Sequence, residues 1–261
     1  MAIATSYANV HDLPQERAEQ ELRVQLAAAY RIVDHFGWTE LIYGHLTARV
    51  PGPDKHFLIN PYGLNYDEVT ASNLVKIDID GNIIGDSNYP VNIAGFMIHS
   101  AVHMAEGGDN HVVMHTHTRA GMAVAALEHG LLPVSMTSTP FFEGTAYHDY
   151  EGPSLYEDER ERLRASLGEH KAMILRNHGL LAAGRTVPEA FLRLYRLERA
   201  CQVQIDAAAA GALHVMPDEV ARKSGRDMDR FSERDSEAGV GALEFAALMR
   251  KMDRIDPSFR N

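Results

Sequence analysis

The chain has 261 residues, of which 45% are apolar and 23% charged, with a formal net charge of −11. Those numbers describe a globular protein large enough for a well-buried core and exclude a disordered or fibrous chain. The acidity and the lack of any basic run argue against nucleic acid or an anionic membrane as partner, and the single cysteine, Cys201, excludes an internal disulfide. The start of the chain lacks a basic and apolar leader, and no apolar stretch reaches membrane-spanning length, so the expected location is cytoplasmic.

In chain order, residues 1–13 read as a loose arm. A helix is predicted from about Leu13 to Phe36, with Leu22, Leu26, Tyr30 and Val33 at helical spacing and Gly37 as its stop. Strand-like runs follow at 44–50 and 56–60, and Asp80-Gly81 divides the 74–85 run into a predicted hairpin. Residues 92–106 read as a helix, 111–118 as a strand, 120–130 as a helix closed by glycine, and 131–138 as extended chain. The segment 140–153, PFFEGTAYHDYEGP, reads as a loop, and 155–168 as a charged surface helix. Strand, turn and strand are expected over 172–184, with Asn177-His178-Gly179 at the bend. The last long helix is expected from Thr186 to about Ala209, opened by a Thr-Val-Pro-Glu capping box, and a final helix near Leu243–Met252. The simplest division is an N-terminal arm at 1–16, one mixed α/β domain at 17–212, and a peripheral extension at 213–261.

Fourteen histidines leave geometry to select among them. His115 and His117 are two apart in a strand-like run, so both point to one face and can approach one cation. His111 shares their parity but lies roughly 13 Å up the strand, too far to join them. His178, at a glycine-flanked turn, is either a plain turn histidine or a third ligand of an open three-histidine site. His99 and His103 are i, i+4 on the predicted helix. Ser100 stands where a zinc protease needs glutamate, so these two are packing residues or partners lying behind the ligands. His148, in an ionisable loop, is either solvated or a proton donor beside the site.

With Met114-His115-Thr116-His117-Thr118-Arg119-Ala120-Gly121 and Arg176-Asn177-His178-Gly179 in this order, the chain resembles the class II aldolase/adducin family, and its adducin-like branch most. YGHLTAR (43–49), INPYGLNYDE (59–68) and PVNIAGFMIH (90–99) add to the resemblance, which runs from about residue 17 to 212. It implies an α/β fold, a three-layer α/β/α sandwich with a largely antiparallel sheet. It also implies a divalent metal, most often Zn2+ with Mn2+ or another ion as alternative, on His115, His117 and His178. A homotetramer with active sites between subunits is implied as well. Two departures follow. The sugar-phosphate aldolases carry a Ser-Ser-Glu element whose glutamate is the acid/base residue; here the stretch is Val91-Asn92-Ile93-Ala94-Gly95, and glycine stands at the glutamate's place. The family's Gly-Asn turn is Gly44-His45. Proton transfer is therefore expected from His148, Tyr147 or Glu143, with Tyr150 as a further candidate, and substrate contacts from Gly44, His45, Gly63 and Asn92. The expected activity is carbon–carbon cleavage, aldol or decarboxylating, through a metal-stabilised enolate on an unphosphorylated small molecule. A non-catalytic adducin-like scaffold and an epimerase are the alternatives.

Overall fold

The computed structural model describes residues 9–105, 109–152, 157–234 and 239–261. The first eight residues of the expected arm, and the ends of the helices expected at 92–106 and 155–168, lie outside them. Helix α1 (Gln15–His35) leads to strands β1 (His45–Arg49), β2 (Phe57–Ile59) and β3 (Val75–Ile77). Then come α2 (Ile93–His103), β4 (Val112–Thr116), α3 (Arg119–Ala125) and β5 (Thr145–His148). The chain continues through α4 (Glu157–Leu167), β6 (Ala172–Leu175), β7 (Gly179–Gly184), α5 (Val187–Ala210), α6 (Asp218–Arg234) and α7 (Ala242–Ile255).

The seven strands form one sheet in the order β3-β2-β1-β4-β7-β6-β5, antiparallel except where β5 joins β6. Strand alternation sends Leu46, Met114, Ile174 and Leu180 to one face, where they pack with α1, α3, α5 and α7 residues such as Leu26, Val124, Leu194 and Phe245. Val113, Met173 and Leu181 point to the other face, against Val102 of α2 and Leu163 of α4. The expected three-layer α/β/α sandwich is thus observed. Among the described residues no helix is long and apolar enough to cross a membrane.

Four segments depart from the sequence reading. The 140–153 segment contains β5, a four-residue edge strand. Part of the expected extended run is a 3-10 helix over Met136–Phe141. The 213–261 region contains α6 as well as α7. The hairpin expected at 74–85 closes by a single bridge, Ile77 to Ile83, because the Asp78 carboxylate takes the Asp80 and Asn82 N–H groups and folds the turn on itself.

Candidate metal centre

His115 lies on the central strand β4, directly across from His45 on β1 and Leu181 on β7. The chain leaves the strand after Thr116, and Thr118 then caps α3 by accepting the Gly121 N–H, so His117 is held at a corner. His178 arrives from the β6–β7 bend, where Asn177 takes a positive φ of 55°. Gly179 lets that bend close on β4: a Cβ there would fall 2.5 Å from the Thr116 carbonyl oxygen and 3.3 Å from His115 Cε1.

The three imidazoles meet through their Nε2 atoms. His115 to His117 is 2.7 Å, His117 to His178 is 3.0 Å, and His115 to His178 is 3.3 Å. The opposite ring nitrogens fix the tautomers. His115 Nδ1 lies 2.8 Å from the Leu180 carbonyl, and His117 Nδ1 lies 2.8 Å from a Glu40 carboxylate oxygen. Both oxygens only accept, so each Nδ1 carries a hydrogen, and in the neutral ring the opposite Nε2 presents a bare lone pair. Burial, followed by the neighbouring His178 and His117, holds His115 well below the ordinary imidazole range. Burial and then His117 bring His178 down to about 4. Neutral rings aiming lone pairs at one point repel unless a cation sits between them, and neutral imidazole is the form that binds a metal. Tetrahedral zinc–imidazole bonds would space the nitrogens roughly 3.4 Å apart, so the observed triangle is close to a ligand set, slightly tight. Among the described residues, this is the cluster of His, Cys, Asp and Glu whose ligand atoms all lie within 4.8 Å of one another.

Glu40 escaped the sequence reading: a lone glutamate in a loop, 77 residues from His117, has no local signature. Glu198 of α5 escaped it too. This carboxyl is buried, accepts the Thr118 hydroxyl and the Gln202 amide, and is raised by its burial, so it braces the corner that follows His117.

Other expected residues divide by location. Gly44 has a φ of +82° where a Cβ would press on the Tyr66 hydroxyl at 3.0 Å and the His115 carbonyl at 3.3 Å, so β1 runs close past the triad. His45 is only 4% exposed, with its ring 5.4 Å from that of His115. Asn92 caps α2 by accepting the Gly95 N–H. Gly63 sits in the loop whose Tyr62 N–H donates to the Pro90 carbonyl, alongside the chain entering α2. His148 is buried on the α4 side of β5. Its Nδ1 pairs with the Ser166 hydroxyl, and it shares a small cavity with Glu159, Tyr150 and His178. Tyr147, next along the strand, points to the opposite face, where its hydroxyl accepts the Leu131 N–H and the Arg176 guanidinium covers its ring. Glu143 precedes β5 at the end of that strand remote from His178 and is clasped by Arg222 of α6.

A mixed sheet in this strand order, with a histidine triad where β4 meets the β6–β7 bend, defines the class. Residues 24–205 match the family model described as the Class II Aldolase and Adducin N-terminal domain, and the chain belongs to that family. A crystal structure of an aldolase II superfamily protein from Pseudomonas syringae is 48% identical, covers 97% of this chain and 100% of its own, and superposes with a TM-score of 0.85. L-fuculose 1-phosphate aldolase from Glaciozyma antarctica is 30% identical with a TM-score of 0.80, over 98% of this chain and 96% of its own. Alpha-adducin of Rattus norvegicus is 42% identical over 92% of this chain, which spans 34% of the adducin.

Proposed function

We propose that the protein is a divalent-metal-dependent carbon–carbon lyase, an aldolase or decarboxylase, that acts on an unphosphorylated carbonyl or carboxylate substrate. The observation that carries this reading is the convergence of three Nε2 atoms, two of them stripped of hydrogen by the bonds that Leu180 and Glu40 make to the opposite nitrogens. When bound by His115, His117 and His178, a divalent cation, zinc first among those suited to an all-imidazole set, supplies Lewis acidity to a substrate carbonyl. Glu40 orients His117, and Glu198 steadies the corner after it.

His148 best suits the proton-exchanging role among the expected residues. Its Nε2 makes no hydrogen bond and lies 3.7 Å from Glu151 and 4.0 Å from Glu159, in the cavity it shares with His178. Tyr150, with its ring 6.1 Å from that of His178, stands at the same cavity. Ile93-Ala94 and Gly44-His45, in place of paired serines and a Gly-Asn turn, support an unphosphorylated substrate. The reading includes a cytoplasmic homotetramer with sites at subunit boundaries. Leu41, 74% exposed at a positive φ, and Tyr43 flank Glu40 as an apolar rim suited to a neighbouring subunit.

The test has two stages. Metal analysis of the purified protein, with and without added zinc, should give one ion per chain. The loaded protein is then offered unphosphorylated aldols, β-keto acids, aromatic carboxylates and L-fuculose 1-phosphate, with aldehyde and CO2 assayed separately. Turnover confined to the phosphorylated substrate would overturn the unphosphorylated assignment. A chain unable to take up metal would favour the second reading, a scaffold like the adducin whose likeness is given above.

A further inference from the structure

The three histidines of the triad are not held alike. His115 and His117 each have an acceptor on the nitrogen turned away from the centre, the Leu180 carbonyl and the Glu40 carboxylate. His178 bonds through Nε2 alone, and among the described residues no partner stands on its Nδ1. Metal-binding imidazoles are usually oriented by such a partner, so the aim of His178 has to come from the main chain that carries it.

That chain is a tight turn. The His178 N–H donates to the Leu175 carbonyl at 3.1 Å, and Asn177 stands in the left-handed region between them. Turns at strand ends are among the first parts of a fold to open, yet this one is fastened at three points. The Arg176 N–H donates to the His148 carbonyl of β5 at 2.8 Å, and the Asn177 N–H donates to the Ala125 carbonyl at the end of α3 at 3.1 Å. The third fastening is the Arg176 side chain. Its guanidinium donates to the Leu127 carbonyl at 2.6 Å and lies 4.4 Å from the centre of the Tyr147 ring. A planar guanidinium can stack on a ring and donate at its edge together, which an ammonium cannot.

Tyr147 is itself fixed. Its hydroxyl accepts the Leu131 N–H at 3.0 Å, and a Cβ on Gly130 would fall 2.5 Å from that oxygen, so the loop after α3 lies directly on the phenol. The loop is tied in turn to α5, where the Gln204 side chain accepts the Leu132 N–H and donates to the Gly130 carbonyl. Among the described residues the Arg176 charge is met by this ring and the Leu127 carbonyl and by no carboxylate. We infer that Arg176 and Tyr147 are positioning residues for the third ligand: by clamping the 175–178 turn to the loop after α3, they do for His178 what Leu180 and Glu40 do for its two neighbours. The inference rests on the triad being the metal centre. Tyr147 then serves the metal through the turn, with its hydroxyl directed to Leu131 on the face of the sheet opposite His148.

Zinc affinity, measured by chelator competition in a double-mutant cycle, tests it. Arg176→Gln keeps a long polar side chain and removes the cation from the ring. Affinity should fall about tenfold, the lower end for an outer partner of a metal ligand. Arg176→Lys should recover part of the loss, and Tyr147→Phe, which keeps the ring, should lose less than Arg176→Gln. The loss must run through His178. In a His178→Ala background, where weak residual binding is titrated directly, Arg176→Gln should change affinity by less than about twofold, whereas its effect should add to that of Glu40→Gln, which acts on His117. No loss in Arg176→Gln, or the same loss with and without His178, overturns the proposal while leaving the metal centre standing. Metal-free protein supplies a second arm: the Asn177 and His178 amides should exchange hydrogen about tenfold faster in Arg176→Gln, and unchanged exchange overturns the clamp. Failure of the unsubstituted protein to take up zinc overturns the metal centre instead, and the exchange rates still decide the clamp.

Discussion

The triad and a second line of histidines, His99 and His103 of α2 joined through Thr47 of β1, are made of the same side chain, lie on the same face of the sheet, and use it in opposite ways. In the triad, bonds to Leu180 and Glu40 turn lone pairs inward to one point, a set of acceptors with nothing to accept until a cation arrives. In the line, His103 Nδ1 donates to the Asn110 carbonyl, and Thr47 donates to His103 Nε2 and accepts from His99 Nδ1, so the cluster is satisfied without an ion as far as His99. The difference is set by the outer partners. A neutral imidazole is a donor on one side and an acceptor on the other, so the group touching Nδ1 decides what Nε2 can do.

Removing a ligand breaks the first cluster alone. His115→Ala or His178→Ala should abolish stoichiometric metal binding, read by elemental analysis after dialysis, while the imidazole 15N NMR shifts of His99 and His103 stay unchanged. Acid acts on the second. His103 is pushed down to about 3 and His99 lies well below its usual value, both by burial first. Unfolded imidazoles near pKa 6.5 take up protons that the folded rings refuse, so stability is full above about pH 6.5 and falls as the pH drops toward the folded values. At pH 5 His103 should cost about 2 kcal/mol, and His103→Asn should make the decline in melting temperature between pH 6.5 and 5 correspondingly shallower. Glu40→Gln loosens the triad without touching a ligand: metal affinity should fall about 10- to 100-fold in a chelator competition. Gly95→Ala probes the seam between the clusters. The new methyl group must displace the His45 ring, which should cost about 1–3 kcal/mol in thermal unfolding and leave metal content intact.

Much of this was legible in the sequence because it obeys short periods. Strand parity pointed to His115 and His117, although the strand ends at Thr116, and His178 stood open at its glycine turn until the family motifs joined it to them. The three-layer fold followed from the family motifs. What stayed hidden depends on partners distant in the chain. Strand β5 is four residues long, amid glycine, proline and acidic side chains, and is held from one side by β6. Helix α6 packs onto the 136–141 helix through small residues, Ala221 and Gly225, and a Cβ on Gly225 would lie 2.6 Å from the Thr139 carbonyl. Small contact residues leave no strong apolar stripe to read. The line under α2 was half visible: His99 and His103 were paired by helical spacing, but nothing local tied them to Thr47.

The fit of His45 over Gly95 has a consequence for ancestry. The two positions are fifty residues apart in the chain, yet an imidazole at one and any side chain at the other would claim the same space. A lineage could not change them freely in either order. Replacing glycine first meets the ring, whereas shrinking the ring first opens a gap that a new side chain can enter. Related sequences should therefore fall into two groups at this pair, large with glycine or small with a longer residue, and that sorting marks which sequences share this site's architecture.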